Sequence, residues 1–461
     1  MAGKMPAPRE DAMSNQFCDG LERRDFVRLG LAGLFGTSFT LPQLLQAEAT
    51  AAGKAIKDRG LSVIYVFLKG GLSTIDTLDM KPNAPAEFRG EFDPAATNVP
   101  GIQICDLLPN LAQQMDKFAL LRGFWHKNSD HGPADHYMLT GYFPQAGFNP
   151  NLNPNNVRPS LGSIVAKKLG PQGAAKQAAA VPPYVCLPQA HNSCGPAYLG
   201  ATCAPLSVDA DPAAPDFAVP DMSPPPSLAA DRLANRRELL KRVDQLQQSA
   251  DLEANSKAAT VNVFRQRAFE LMLSPEAKQA FNIHAEPEKL RDAYGRHTLG
   301  QSCLMARRLV EAGVRCVTVE HTNWDTHDGN FATLKKTLLP QMDPGVATLV
   351  RDLSDRGMLD KTLVVVSGEF GRTPRINKNA GRDHWGPSFT VMLAGGGVKG
   401  GRVIGASDER AERPADQPHG PEDLFATICH VMGLDPEEEF FTPEGRPVKI
   451  VNDGKVIRSV L

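Results

Sequence analysis

No two cysteines stand as a CxxC pair anywhere in the 461 residues, so a thiolate zinc site has no support. An excess of either charge is also missing. The 50 lysines and arginines face 52 aspartates and glutamates for a net charge of -2, and nothing global draws the chain to nucleic acid or an anionic membrane. Nor is there a long apolar run fit for a stable membrane span. The best stretch, Leu29 to Phe39, is diluted by glycine and serine and soon meets Pro42. What is present is a soluble globular composition, 42% hydrophobic and 22% charged, long enough to bury a large core. The 40 glycines and 37 prolines imply long irregular connections.

The segment Glu22-Arg23-Arg24-Asp25-Phe26-Val27-Arg28 is a twin-arginine pattern ahead of that weak apolar run, and Ala47-Glu48-Ala49 is a small-x-small cleavage site. Residues 1–49 therefore read as a removable twin-arginine signal. Residues 50–461 become an exported α/β domain, periplasmic or extracellular, with no stable membrane span after cleavage. Cys186, Cys194 and Cys203 share one Pro-rich loop where a disulfide is chemically allowed after export, whereas Cys303 and Cys316 lie on apolar patterns and read as core.

Three short apolar runs have the β-branched content of strands buried on both faces: Leu61 to Leu68, Val314 to Val319, and Leu363 to Val366. Each stops at polar residues, and in open α/β sheets ligands bind at the carboxyl ends of the strands. After the first come Lys69, the Gly70-Gly71 pair, Ser73, Asp76 and Asp79. Asp76 and Asp79 are either metal or substrate ligands or turn and capping residues. The second run is followed by Glu320-His321-Thr322-Asn323-Trp324-Asp325-Thr326-His327-Asp328. The third is followed by Ser367-Gly368-Glu369 and then by Asp383-His384-Trp385 on a Gly-rich return. Carboxylates beside imidazoles suit a divalent metal.

A fourth cluster, Trp125 to His136, packs His126, His131, His136, Asp130 and Asp135 into eleven residues of a chain with 11 histidines. Such density points to a metal or acid/base site. Pro133 suits a first helical turn, which places His131 at a helix N-terminus where an anion is stabilised. Beyond it, 142–287 reads as an insertion of Pro-rich loops followed by amphipathic helices within 228–273, with a local element near Leu161 to Lys168. Alternation then resumes. A helix is expected over Glu288 to Ala312 and another over Asp343 to Arg356, with a late helix over Leu424 to Met432 and an edge strand at Val448 to Val451.

The motifs GGLSTIDTLDMKP, WDTHDGN, SGEFGRTP and GRDHWG, behind a twin-arginine signal, resemble the domain-of-unknown-function 1501 family of the alkaline phosphatase-like superfamily, which includes phosphatases and sulfatases. The resemblance implies a three-layer αβα sandwich with a mostly parallel central sheet and a metal cluster at the strand ends. It implies that Asp325, His327 and His384 correspond to one metal set, with Glu369, Asp383 and Asp76 as further candidate ligands. The chain departs from the superfamily pattern in two places. Lys69-Gly70 occupies the position of a first-strand aspartate, and Glu369-Phe370 that of an Asp-His pair. The sulfatase Cys-x-Pro-x-Arg element is matched in frame by His131-Gly132-Pro133-Ala134-Asp135, so no formylglycine can form there.

The function implied is metal-assisted hydrolysis of phosphate or sulfate esters of a small molecule or glycan, using a divalent ion (Zn, Ca, Mg or Mn). The alternative is a non-catalytic binding or structural protein on the same fold. Candidate catalytic residues are His131, Ser73 and Asp130. His131 is a metal ligand, a general base or a nucleophile, in that order.

Overall fold

The computed structural model describes residues 58–144, 148–152, 157–170, 181–219 and 274–461. The twin-arginine stretch and the amphipathic segments of 228–273 lie outside the described residues. The centre of the described chain is an eight-stranded sheet. In chain order its strands are β1 (Ser62–Leu68), β2 (Phe118–Phe124), β3 (Tyr184–Leu187), β4 (Leu206–Ser207), β5 (Cys316–His321), β6 (Thr362–Ser367), β7 (Phe389–Ala394) and β8 (Arg402–Ile404). Across the sheet they run β8-β2-β7-β6-β1-β5-β3-β4, all parallel except β7.

β1 lies between β5 and β6 and is buried along its whole length. Its side chains alternate between two apolar layers, as a pleated strand requires. Ile64, Val66 and Leu68 join a core built on α3 (Thr298–Glu311) and α4 (Leu339–Asp355). Val63, Tyr65 and Phe67 join a second core that takes in α1 (His131–Thr140), α2 (Leu161–Leu169) and α5 (Pro421–Met432). The result is the αβα sandwich with a mostly parallel sheet that the sequence predicts. The three apolar runs form β1, β5 and β6 side by side, so their polar ends share one edge.

Several elements differ from expectation. The helix expected over Glu288 to Ala312 is two, Glu288–Tyr294 and α3, because Gly295 takes φ +89° and ends the first. Pro447–Lys449 pairs with Glu439–Phe441 in a small two-stranded sheet rather than at the edge of the central one. The Pro-rich 142–287 region supplies β3 and β4 to the central sheet. Tyr184–Leu187 is fully buried but too short and too close to proline to carry a periodic signal. Cys303 and Cys316 are buried as expected, and the seven described cysteines are all free thiols, Cys186, Cys194 and Cys203 included.

Candidate metal centre

The close approach of β1 and β5 loops depends on Gly70 and Gly71, which adopt φ +115° and +90°. A Cβ at Gly70 would lie 2.4 Å from the Asp325 backbone nitrogen, and one at Gly71 2.7 Å from the Phe370 ring. Only glycine fits both the dihedral and the space. The Gly70 N–H donates to both oxygens of Glu369, at 2.8 and 3.0 Å, which locks the carboxylate that follows β6 over the end of β1.

Three histidines meet at this edge, and each has its Nδ1 engaged by an acceptor. His131 Nδ1 lies 2.7 Å from Glu369 Oε1, His327 Nδ1 lies 2.6 Å from Asp383 Oδ1, and His384 Nδ1 lies 3.0 Å from the Ser129 carbonyl. Carboxylates and carbonyls accept, so each imidazole donates Nδ1–H, and this assignment of tautomer leaves each Nε2 as a lone pair. All three lone pairs turn toward Asp325. His384 Nε2 and His327 Nε2 both lie 3.0 Å from its Oδ1, and His131 Nε2 lies 3.3 Å from its Oδ2. His327 Nε2 and His384 Nε2 are only 2.9 Å apart. Acceptor atoms at that spacing need protons or a cation among them. Ligands about 2.0–2.1 Å from one ion lie roughly 3–4 Å from each other, so the spacing suits a shared metal. His131, Asp325 and His384 each offer an atom within 4.8 Å of the other two, and His327 approaches Asp325 and His384 from beside them.

Electrostatics favour the ligand states of Asp325 and His384, and the protonated state of His131. Partial burial opposes ionisation of Asp325, but the Arg372 guanidinium, 2.6 Å from Oδ1, holds its pKa down at about 2. Burial lowers the pKa of His384, against the pull of Asp325, so it presents a free lone pair near neutral pH. Glu369 is fully buried; desolvation pushes its pKa up, and in return its hydrogen bond and charge raise that of His131 despite burial. Behind the pair, His126 Nε2–H donates to the Glu369 carbonyl at 2.6 Å, and burial pushes its pKa down to about 4. Phe370 stacks under His384 at 4.6 Å and touches His131 at 5.1 Å.

Asp325, His327, Asp383, His384, Glu369 and His131 are thus brought together. Glu369 and Asp383 stand behind the histidines rather than among the grouped ligand atoms. Asp76 departs from its expected place. Its oxygens take a two-pronged pair from Arg382, 2.7 Å on each, and Oδ2 also accepts from Ser73 Oγ at 2.6 Å and Asn330 Nδ2 at 2.9 Å. Both partners are about 1% exposed or less, and Asp76 is not among the grouped ligand atoms of His131, Asp325 and His384. Ser73 is buried with it, its hydroxyl donating to Asp76. Asp130 is exposed, immediately before α1, and its side chain makes no capping bond to the helix. Asp79 pairs with Lys81 at 3.0 Å.

Arg372 was missed. It stands inside SGEFGRTP, but arginines near strand ends are common. Its role follows from tertiary placement, where the buried guanidinium donates to the carbonyls of Gly70, Gly71, Trp324 and Arg382 while facing Asp325. Only the spacing from Glu369, three residues, hinted that it shares the edge.

The family described as Protein of unknown function (DUF1501) matches residues 61–461. No curated protein matches the sequence. Among solved structures, the chain is similar to the lipoteichoic acid synthase LtaP from Listeria monocytogenes, with 11% identity, TM-score 0.39, and coverage of 86% of this chain and 76% of that one. It is also similar to the PsFucS1 sulfatase from Pseudoalteromonas sp. (14% identity, TM-score 0.37, 90% and 72% covered) and to the phosphonate monoester hydrolase of Agrobacterium radiobacter (10% identity, TM-score 0.35, 87% and 77% covered).

Proposed function

The chain belongs to the DUF1501 family, and from that premise we propose that it is an exported, metal-assisted hydrolase of phosphate or sulfate esters with its reaction centre at the carboxyl edge of the sheet. The observation that carries this reading is the convergence of three imidazole Nε2 atoms on Asp325, each ring fixed through Nδ1 by an acceptor. Acceptors behind metal-binding histidines are the usual way that tautomer and orientation are set. A donor set of imidazoles with one carboxylate favours zinc or a similar transition ion over calcium or magnesium, which prefer all-oxygen sites.

A divalent ion held by Asp325 and the Nε2 atoms of His131, His327 and His384 would supply Lewis-acid chemistry toward an ester. The chain's own residues do the rest. Arg372, buried and committed to four backbone carbonyls and to Asp325, holds that carboxylate ionised and in place beside the imidazoles. His131 reads as a ligand first: Glu369 holds its Nδ1 proton, and its Nε2 faces the cluster. The α1 N-terminus beneath it adds a favourable field for an anion. In this reading residues 1–49 are the export signal and 50–461 the catalytic domain; replacing Arg23 and Arg24 by Lys then strands the precursor inside the cell.

The test is metal content by mass spectrometry together with hydrolysis of p-nitrophenyl phosphate and p-nitrophenyl sulfate. Stoichiometric metal with hydrolysis of one ester, both lost in His384→Ala, is the expected result. Metal without hydrolysis of any ester leaves a binding protein on this fold, and absence of both ends the proposal.

A further inference from the structure

Lys69 follows β1 directly and takes no part in the acceptor ring around Asp325. Its backbone is fixed. The N–H donates to the His321 carbonyl at 2.8 Å, and the carbonyl accepts from the Trp324 N–H at 3.2 Å. Its side chain has no such anchor. Among the described residues the ammonium makes no hydrogen bond and meets no carboxylate within ion-pair distance, although the residue is half-buried. The nitrogen is not sealed in the interior and stays open to solvent.

Three observations place that ammonium on the side of the sheet that carries His131. Val63, Tyr65 and Phe67 belong to the core that takes in α1, and strand alternation carries Lys69 to the same face. Its charge bears on Asp135, one turn after His131 on α1, and on His191, whose ring meets that of Phe67 at 5.6 Å. Phe67 pairs with Ser367 across β1 and β6, so Lys69 and Glu369 each lie two residues beyond that pair. Glu369 in turn holds His131 Nδ1 at 2.7 Å. Lys69 therefore stands beside the His131 limb of the metal centre.

The nearby carboxylates do not take up its donors. Asp135 turns Oδ2 to His191 Nε2 at 3.3 Å, and its Oδ1 and the Oε2 of Glu320 are buried without a hydrogen-bond partner. An ammonium carries three N–H donors, and here all three are uncommitted. Arg372, at the same edge, has its donors spent on four carbonyls and Asp325. The start of α1 lies on the same side as Lys69 and adds its favourable field for an anion. We infer that Lys69 is the oxyanion-binding residue of the site, donating to a phosphoryl or sulfuryl oxygen of the ester whose reacting end lies at the metal centre. Only the identity of the anion rests on the ester-hydrolase reading.

Calorimetric titration of the zinc-loaded, full-length protein with inorganic phosphate and with sulfate reads the site without requiring turnover. At least one of the two binds, its affinity falls with added salt, and Lys69→Met weakens it at least about tenfold while metal content and thermal midpoint are unchanged. Lys69→Arg retains most of the affinity. In the wild type, the same anion protects Lys69 from acetylation by an N-hydroxysuccinimide ester, mapped by mass spectrometry, a readout that needs no substitution. Binding of neither anion, or no protection of Lys69, would overturn the inference. So would equal binding by Lys69→Met, and a loss of stability alongside it would make Lys69 a counter-ion to the buried Asp135 instead. The two readings separate cleanly: Lys69-dependent anion binding without ester hydrolysis keeps the anion site and removes the enzyme, and ester hydrolysis with a KM indifferent to Lys69→Met does the reverse.

Discussion

Asp76 and Asp325 both follow strands of one sheet, β1 and β5, and both face arginines, yet their surroundings oppose each other. Asp76 is sealed: Arg382, Ser73 and Asn330 occupy its oxygens, and Arg382 also donates to the carbonyls of Thr373, Pro374 and Phe88. Around Asp325 the one arginine is joined by three imidazoles that present acceptor atoms instead of donors. A carboxylate whose partners are all donors is finished as structure. One ringed by acceptors is finished only when a cation arrives. Side-chain identity and chain position do not distinguish the two; hydrogen-bond direction does.

The largest effect should come from emptying the acceptor ring. Asp325→Ala and His384→Ala are expected to lose stoichiometric metal and activity together while the protein remains folded, as mass spectrometry and circular dichroism would show. Asp76→Ala should do the opposite. Removing one partner of a buried pair leaves Arg382 uncompensated, at a cost of about 3–5 kcal/mol in denaturant-measured stability, with metal still bound. Loss of metal in Asp76→Ala with unchanged stability would dissolve the contrast.

A smaller effect is expected one step behind the ligands. Glu369→Gln and Asp383→Asn remove the acceptors that orient His131 and His327, and should weaken metal affinity by about 10–100-fold without abolishing it, as competition with a chelator would measure. The smallest is a pH effect in the metal-free protein. The Asp325 pKa is lower folded than unfolded, so its contribution to stability is fully present above the ordinary carboxylate value and is lost as pH falls toward about 2. Because the side chain is 43% exposed, solvent screening keeps that contribution small. Acid titration should therefore separate wild type from Asp325→Asn only slightly, and only below the usual carboxylate range.

The sequence made the edge legible because β1, β5 and β6 are runs of buried β-branched residues that stop sharply at polar ones, and parallel pairing brings those stops together. It made Asp325, His327 and His384 candidates because carboxylates and imidazoles cluster at two of the stops. It could not tell Asp76 from Asp325, since the arginine that seals Asp76 lies 306 residues away. Nor could it separate ligand from support. Glu369 and His384 occupy equivalent-looking loops, and only the direction in which His131 Nδ1 points shows that Glu369 stands behind a histidine. Tyr184–Leu187 escaped because a four-residue buried strand between prolines carries no period to read.

X-ray absorption spectroscopy of the zinc-loaded protein tests the central claim most directly, because backscattering from imidazole rings reports which atoms surround the ion. The acceptor ring around Asp325 predicts one tightly held zinc with two or three histidine nitrogens at about 2.0–2.1 Å and oxygen completing the shell, the imidazole signal declining in His384→Ala. A zinc environment of oxygen alone, or an unchanged spectrum in His384→Ala, would contradict it.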